Sequence, residues 1–139
     1  SRYYERVAPD RKSSRMQLVP SPWVLLARAL QRAVLPPKPS ALGEPGRVLD
    51  IGCSTGRFLS RMKAEGWRVQ GVEPDREAAT LAVTKFGVPV ANEPFRPGLF
   101  EPGSFDLVTM WHVLEHLPDP MASLREAAIL LKPGGWLVG

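Results

Sequence analysis

Two carboxylates, Asp50 and Glu73, and the glycine loop between them are the residues of this sequence whose types and spacing suit chemistry. Asp50 ends a short apolar run that opens at Arg47, and the loop Gly52-Cys53-Ser54-Thr55-Gly56 follows it. A helical pattern then begins. Strand, glycine loop and helix form the first unit of an α/β fold, and open sheets of that kind bind ligands at the carboxyl ends of their strands. Gly52 and Gly56 let the backbone approach a ligand or adopt positive φ. Amides at the start of the helix near Gly56 are expected to point into the same crevice and favour a negative group there.

Asp50 narrows the ligand class. A carboxylate at the strand tip repels a pyrophosphate, which argues against NAD and FAD. It suits a ligand of both signs, such as the ammonium and carboxylate of an amino acid. S-adenosylmethionine carries that head group and a cationic sulfonium. Glycine also occurs at strand–helix turns for packing alone, so the loop does not decide by itself. Glu73 adds a second signal. It lies about 20 residues past the loop, at the end of the next expected strand, where an acid accepts hydrogen bonds from both hydroxyls of a ribose. A surface glutamate near the next helix start is the simpler alternative.

His112-Val113-Leu114-Glu115-His116 has the spacing of an inverted zinc-peptidase helix, with two histidines four residues apart. The segment directly follows an expected strand, Pro118 breaks any helix soon after, and no further carboxylate ligand stands out. The expectation is therefore no metal. Both histidines also suit a purely structural role in fixing the loop.

These residues need elements to carry them. The pattern predicts strands at about 47–51, 67–73, 88–90 and 105–111, with a fifth beginning at Trp136. Helices are expected at about 56–65, closed by Gly66, at about 75–86, with Asp75 near its start and Gly87 after it, and at about 119–131. Residues 92–104 read as loop. Upstream, Ser21-Pro22 reads as the start of a helix with Trp23, Leu26, Ala27, Leu30 and Val34 on one face. A stiff Pro36-Pro37-Lys38-Pro39 linker follows, running to about Pro45. The domains expected are a basic arm, helix and linker over 1–46 and a ligand-binding domain over 47–139.

The chain has 139 residues, enough for one small domain with a core, and a net charge of +4. That charge is uneven. Residues 1–47 hold nine Lys/Arg against three acids, and residues 48–139 hold nine against eleven. The basic leading segment suits an anionic partner or a solvated arm. No aromatic-rich RNA motif accompanies it, so no nucleic-acid partner is expected. The single Cys53 excludes an internal disulfide and fits a reducing, cytoplasmic setting. The longest apolar stretch, Trp23 to Leu35, is too short and too charged to span a membrane.

Four segments in order carry a family resemblance. Val48-Leu49-Asp50-Ile51-Gly52-Cys53-Ser54-Thr55-Gly56 resembles motif I of class I S-adenosylmethionine-dependent methyltransferases. Gly71-Val72-Glu73-Pro74-Asp75 resembles their acidic ribose-binding segment. Ser104-Phe105-Asp106-Leu107-Val108 with His112-Val113-Leu114-Glu115-His116-Leu117 resembles their fourth strand and its loop. Leu131-Lys132-Pro133-Gly134-Gly135 is similar to the turn before their fifth strand. The nearest flavour is the quinone-biosynthesis-like group of small-molecule methyltransferases.

The resemblance implies a Rossmann-like parallel sheet of order 3-2-1-4-5 with flanking helices and an N-terminal helical cap. It implies S-adenosylmethionine as cofactor and S-adenosylhomocysteine as product. By position, Asp50 would meet the amino group, and Gly52, Cys53, Ser54 and Gly56 would line the methionine portion. Glu73 and Pro74 would hold the ribose, Asn92 and Glu93 would face adenine, and Trp111 and His112 would lie beside the sulfonium. His112 or His116 would deprotonate a small-molecule acceptor. Ser54 departs from the family's usual glycine. Such domains continue past a fifth strand, so the resemblance implies a C-terminally shortened domain lacking its antiparallel hairpin. That predicts either a fragment or a sheet edge that pairs with another chain. The alternatives are a cofactor-binding module without catalysis and, behind it, an NAD-dependent oxidoreductase.

Overall fold

The computed structural model describes residues 44–139. The expected basic arm, the helix from Ser21 and the linker up to residue 43 lie outside the described residues. Within them the order is β1 (Arg47–Ile51), α1 (Arg57–Ala64), β2 (Arg68–Val72), α2 (Arg76–Phe86), β3 (Val90–Ala91), β4 (Phe105–Thr109), a 3₁₀ turn (Leu114–His116), α3 (Pro120–Leu130) and β5 (Leu131–Val138). All neighbouring strand pairs are parallel, in the order β3-β2-β1-β4-β5. This is the expected Rossmann-like sheet.

Period-two alternation along β1 divides the core between the two faces. Val48 joins Leu59, Met62, Ala82 and Val88 under α1 and α2. Leu49 and Ile51 join Val72, Val108, Ala127 and Leu130 under α3. Because strands buried on both faces need apolar residues throughout, β1 and β4 read as near-continuous hydrophobic runs. Asp50 and Thr109 interrupt those runs, and each is almost fully buried. The chain places two polar side chains where the pattern calls for apolar ones.

Several boundaries move for local reasons. The third strand is Val90–Ala91, not 88–90. Gly87 takes φ 63°, and the Val88 N–H turns back to the Ala82 carbonyl at 3.1 Å, so Val88 finishes the α2 end and does not enter the sheet. Trp67 falls outside β2 because its N–H closes α1 on the Met62 carbonyl at 3.1 Å. The fourth strand stops at Thr109 and the chain then turns, with His112 at φ 52°. The fifth begins earlier than expected, at Leu131. The Lys132–Gly135 excursion breaks its register, and Trp136–Val138 then pair with Leu107–Thr109. Asp75 and Asp119 cap α2 and α3, accepting from Ala78 N–H at 2.8 Å and Ala122 N–H at 3.0 Å. Among the described residues, no helix is long and apolar enough to cross a membrane.

Candidate functional site

The carboxyl ends of β1, β2 and β4 gather the predicted residues. Register places Asp50 between Gly71 on β2 and Thr109 on β4. Gly71 leaves room that a side chain would remove, since a Cβ there would lie 2.5 Å from Cys53 Sγ. On the other flank the Thr109 hydroxyl donates to Asp50 Oδ1 at 2.6 Å. Burial pushes the Asp50 carboxyl up to about 7, opposed by that hydrogen bond and assisted by the nearby negative charge of Glu73. A cation arriving beside Asp50 would reverse the balance, which is what an ammonium group supplies.

The glycine loop is stitched to β2. The Gly52 and Cys53 N–H groups both donate to the Val72 carbonyl, at 2.8 and 3.0 Å, and Gly56 N–H donates to the Cys53 carbonyl at 3.0 Å. These amides are therefore committed within the chain. The polarity for a negative group comes from the start of α1 itself. Its N-cap Gly56 supplies no side-chain hydrogen bond, and the first turn carries no acid. Gly52 at φ 74° and Gly56 at φ 79° need glycine twice over. A Cβ at Gly52 would meet Val113 Cγ2 at 2.4 Å, and one at Gly56 would meet Ala82 Cβ at 2.8 Å.

Ser54 stands where the backbone favours the family's usual glycine. It adopts φ 51°, a left-handed conformation in which glycine is unstrained. Its N–H donates to Glu73 Oε2 at 2.9 Å, while the Asp75 N–H donates to Oε1 at 2.9 Å. Glu73 thus ties the loop to the start of α2. Each carboxylate oxygen has a second lone pair, so each can accept a further hydrogen bond. Pro74 is exposed beside it. Cys53 is buried, and burial together with Asp50 and Glu73 pushes its thiol up to about 12, so it remains protonated and unreactive.

Asn92 does more locally than expected. Its Nδ2 donates to the Glu73 carbonyl at 2.8 Å and the Pro74 carbonyl at 3.2 Å, which fixes the turn after β2 and leaves Oδ1 for a ligand. Glu93 is engaged with Arg96 Nε at 2.6 Å. Trp111 packs edge-on against Phe58 with ring centroids 5.6 Å apart, and its buried indole N–H has no acceptor among the described residues.

The two histidines lie on different local structures. His112 is exposed in its left-handed turn, and His116 ends the one-turn 3₁₀ helix with Nε2 4.0 Å from Glu115 Oε1. No helical face joins them, so the inverted zinc-peptidase arrangement does not form. Thr109 and Val113 escaped sequence reading. Thr109 is an ordinary strand former, and its contact with Asp50 depends on cross-strand register.

The residues present fit a zwitterionic nucleoside. Two buried carboxylates suit a ligand with a positive group and hydroxyls, and a helix start without a side-chain cap or first-turn acid suits a negative one.

Residues 23–139 match the family described as a methyltransferase domain. A ubiquinone biosynthesis O-methyltransferase of Ralstonia nicotianae is 41% identical over 95 residues, covering 64% of this chain and 40% of that protein. The chain thus spans about two-fifths of the length of that curated relative. A SAM-dependent methyltransferase structure from Thermotoga maritima has a TM-score of 0.60 at 32% identity, covering 83% of this chain and 53% of the other. A Pyrococcus horikoshii structure has a TM-score of 0.64 at 22% identity, covering 97% and 63%, and shows the fold alone. The chain belongs to the S-adenosylmethionine-dependent methyltransferase family, with the Rossmann-like fold of class I.

Proposed function

We propose that the protein of which this chain is all or part transfers a methyl group from S-adenosylmethionine to a hydroxyl of a small-molecule acceptor. The observation that carries the reading is the pair of buried carboxylates at neighbouring strand tips, Asp50 for the ammonium and Glu73 for the ribose. The hydroxyl acceptor follows the O-methyltransferase relatives.

When bound, the cofactor supplies a methyl carbon on a sulfonium, a leaving group that departs as a neutral thioether. The protein's task is then alignment and exclusion of water, and positioning alone supplies about 7–11 kcal/mol. Asp50 and the start of α1 orient the methionine end. Gly52, Cys53, Ser54 and Gly56 shape its channel, Glu73 and Pro74 hold the ribose, and Asn92 offers Oδ1 toward adenine. Trp111 walls the sulfonium end. His112, at the turn after β4, takes the acceptor's hydroxyl proton, with His116 as the second candidate base. The test is turnover with a phenolic acceptor panel and methyl-labelled cofactor. His112→Gln should lower turnover at least tenfold; full turnover in both His112→Gln and His116→Gln removes the base role.

An anionic acceptor is part of the same reading, supported by the excess of Lys/Arg over residues 1–47. So is a cytoplasmic location, which suits a lone protonated thiol. Self-association of this polypeptide through β5, where Trp136 and Leu137 are exposed, completes it. Sedimentation should show dimers at high concentration, and a strict monomer would remove that element.

A further inference from the structure

We propose that Thr109 is a positioning residue for Asp50: its hydroxyl pins one carboxylate oxygen within the sheet and leaves the other as the one offered to the cofactor's ammonium. This rests on the reading of Asp50 given above. Thr109 and Asp50 are register partners on β4 and β1, with 1% and 2% of their surfaces exposed. Their 2.6 Å contact is short enough for a charge-assisted bond. Gly71, on the opposite flank, has no side chain to compete. Among the described residues, Thr109 is therefore the side chain that holds the carboxylate.

The same hydroxyl also lies 3.4 Å from the Leu49 carbonyl. A hydroxyl has one proton and two lone pairs. It donates to Asp50 when the carboxylate is charged. When the carboxyl is neutral, Thr109 accepts its proton and turns its own toward Leu49. Both protonation states are satisfied without moving the strand, so the site keeps its shape before and after a cation arrives. The ionisable groups facing Asp50 are Glu73 from the end of β2 and Cys53 from the loop, and Glu73 opposes the charged form. Thr109, from β4, favours it. Without the hydroxyl, the charged carboxylate that an ammonium requires becomes harder to form.

The experiment is the dissociation constant of S-adenosylhomocysteine for wild type, Thr109→Val and Thr109→Ser from pH 6 to 8.5. A charge-assisted hydrogen bond corresponds to roughly one pH unit of midpoint shift. Thr109→Val should bind about tenfold more weakly at pH 6 and about fivefold at pH 7, and approach wild type by pH 8.5. Thr109→Ser should keep the wild-type profile. The ligand's own titration cancels in the ratio of variant to wild type. A ratio that is constant with pH, or a Thr109→Val variant that matches wild type throughout, overturns the proposal. If Thr109→Val does not fold, Thr109→Cys, similar in volume and a weaker donor, should fall between the two profiles, and a flat ratio overturns it equally. Wild type failing to bind at any pH removes the cofactor reading, and this proposal with it, a result distinct from a flat ratio.

Discussion

Replacing Asp50 by Asn should stabilise the unliganded protein at alkaline pH while removing its ligand. In the folded chain the Asp50 carboxyl is pushed from its ordinary 3.8 to about 7, first by burial. Between those values the folded state holds a proton that the unfolded state has released. Stability therefore falls as pH rises through the window, by about 1.4 kcal/mol per unit. From pH 5 to pH 8 the wild type should lose on the order of 3 kcal/mol to this group. Asn carries no charge, keeps the carboxamide near Thr109, and escapes that loss. The assay is urea unfolding of both proteins at pH 5 and pH 8, extrapolated to water. Contributions common to both proteins cancel in the difference. Asp75 and Asp106 are held below their ordinary value by backbone N–H donors from Ala78 and Arg47, so their contributions are present above pH 4 and lost below it, outside the window. The advantage of Asp50→Asn should thus be about 3 kcal/mol larger at pH 8 than at pH 5. A difference that is the same at both pH values would refute the reasoning, because folding would then not raise the Asp50 carboxyl into this window.

Three further substitutions probe the same crevice. Glu73→Ala leaves the Ser54 and Asp75 N–H groups without their acceptor and should cost about 2–5 kcal/mol in urea unfolding, with Glu73→Gln costing less because one oxygen remains; equal costs for the two would count against a two-point anchor. Gly56→Ala combines a left-handed backbone with a Cβ 2.8 Å from Ala82 Cβ and should destabilise by about 2–4 kcal/mol, of which Ala82→Gly recovers only the packing share; a neutral Gly56→Ala would contradict the φ assigned here. Ser54→Gly relieves the left-handed strain and should raise stability by about 0.5–1 kcal/mol, net of the unfolded-state entropy of glycine; a loss of stability would mean that the serine side chain contributes a contact of its own.

The parts of this molecule that were legible in the sequence are those set by local pattern. The run Val48 to Ile51, the helix stop at Gly87 and the cap at Asp75 each announce themselves within a few residues, and the order of the parallel strands followed from the family resemblance. What stayed hidden depends on partners distant in sequence. Val88 looked like a strand residue until the Ala82 carbonyl claimed its N–H. Thr109 carried no signal because its role is set by which residue of β1 lies beside it. The positive φ of His112 could not be read either: nothing in its neighbours demands a left-handed turn, and only the path from β4 to the 3₁₀ turn imposes it. Asn92 was placed near adenine by its position in the family pattern, yet one end of its amide secures the turn after β2.

The most direct test of the central claim is calorimetric titration of wild-type protein with S-adenosylhomocysteine at pH 8, where Asp50 is ionised. Saturable binding at one site per chain is expected, abolished by Asp50→Asn at unchanged or increased stability. Folded wild-type protein giving no heat and no melting shift would contradict it.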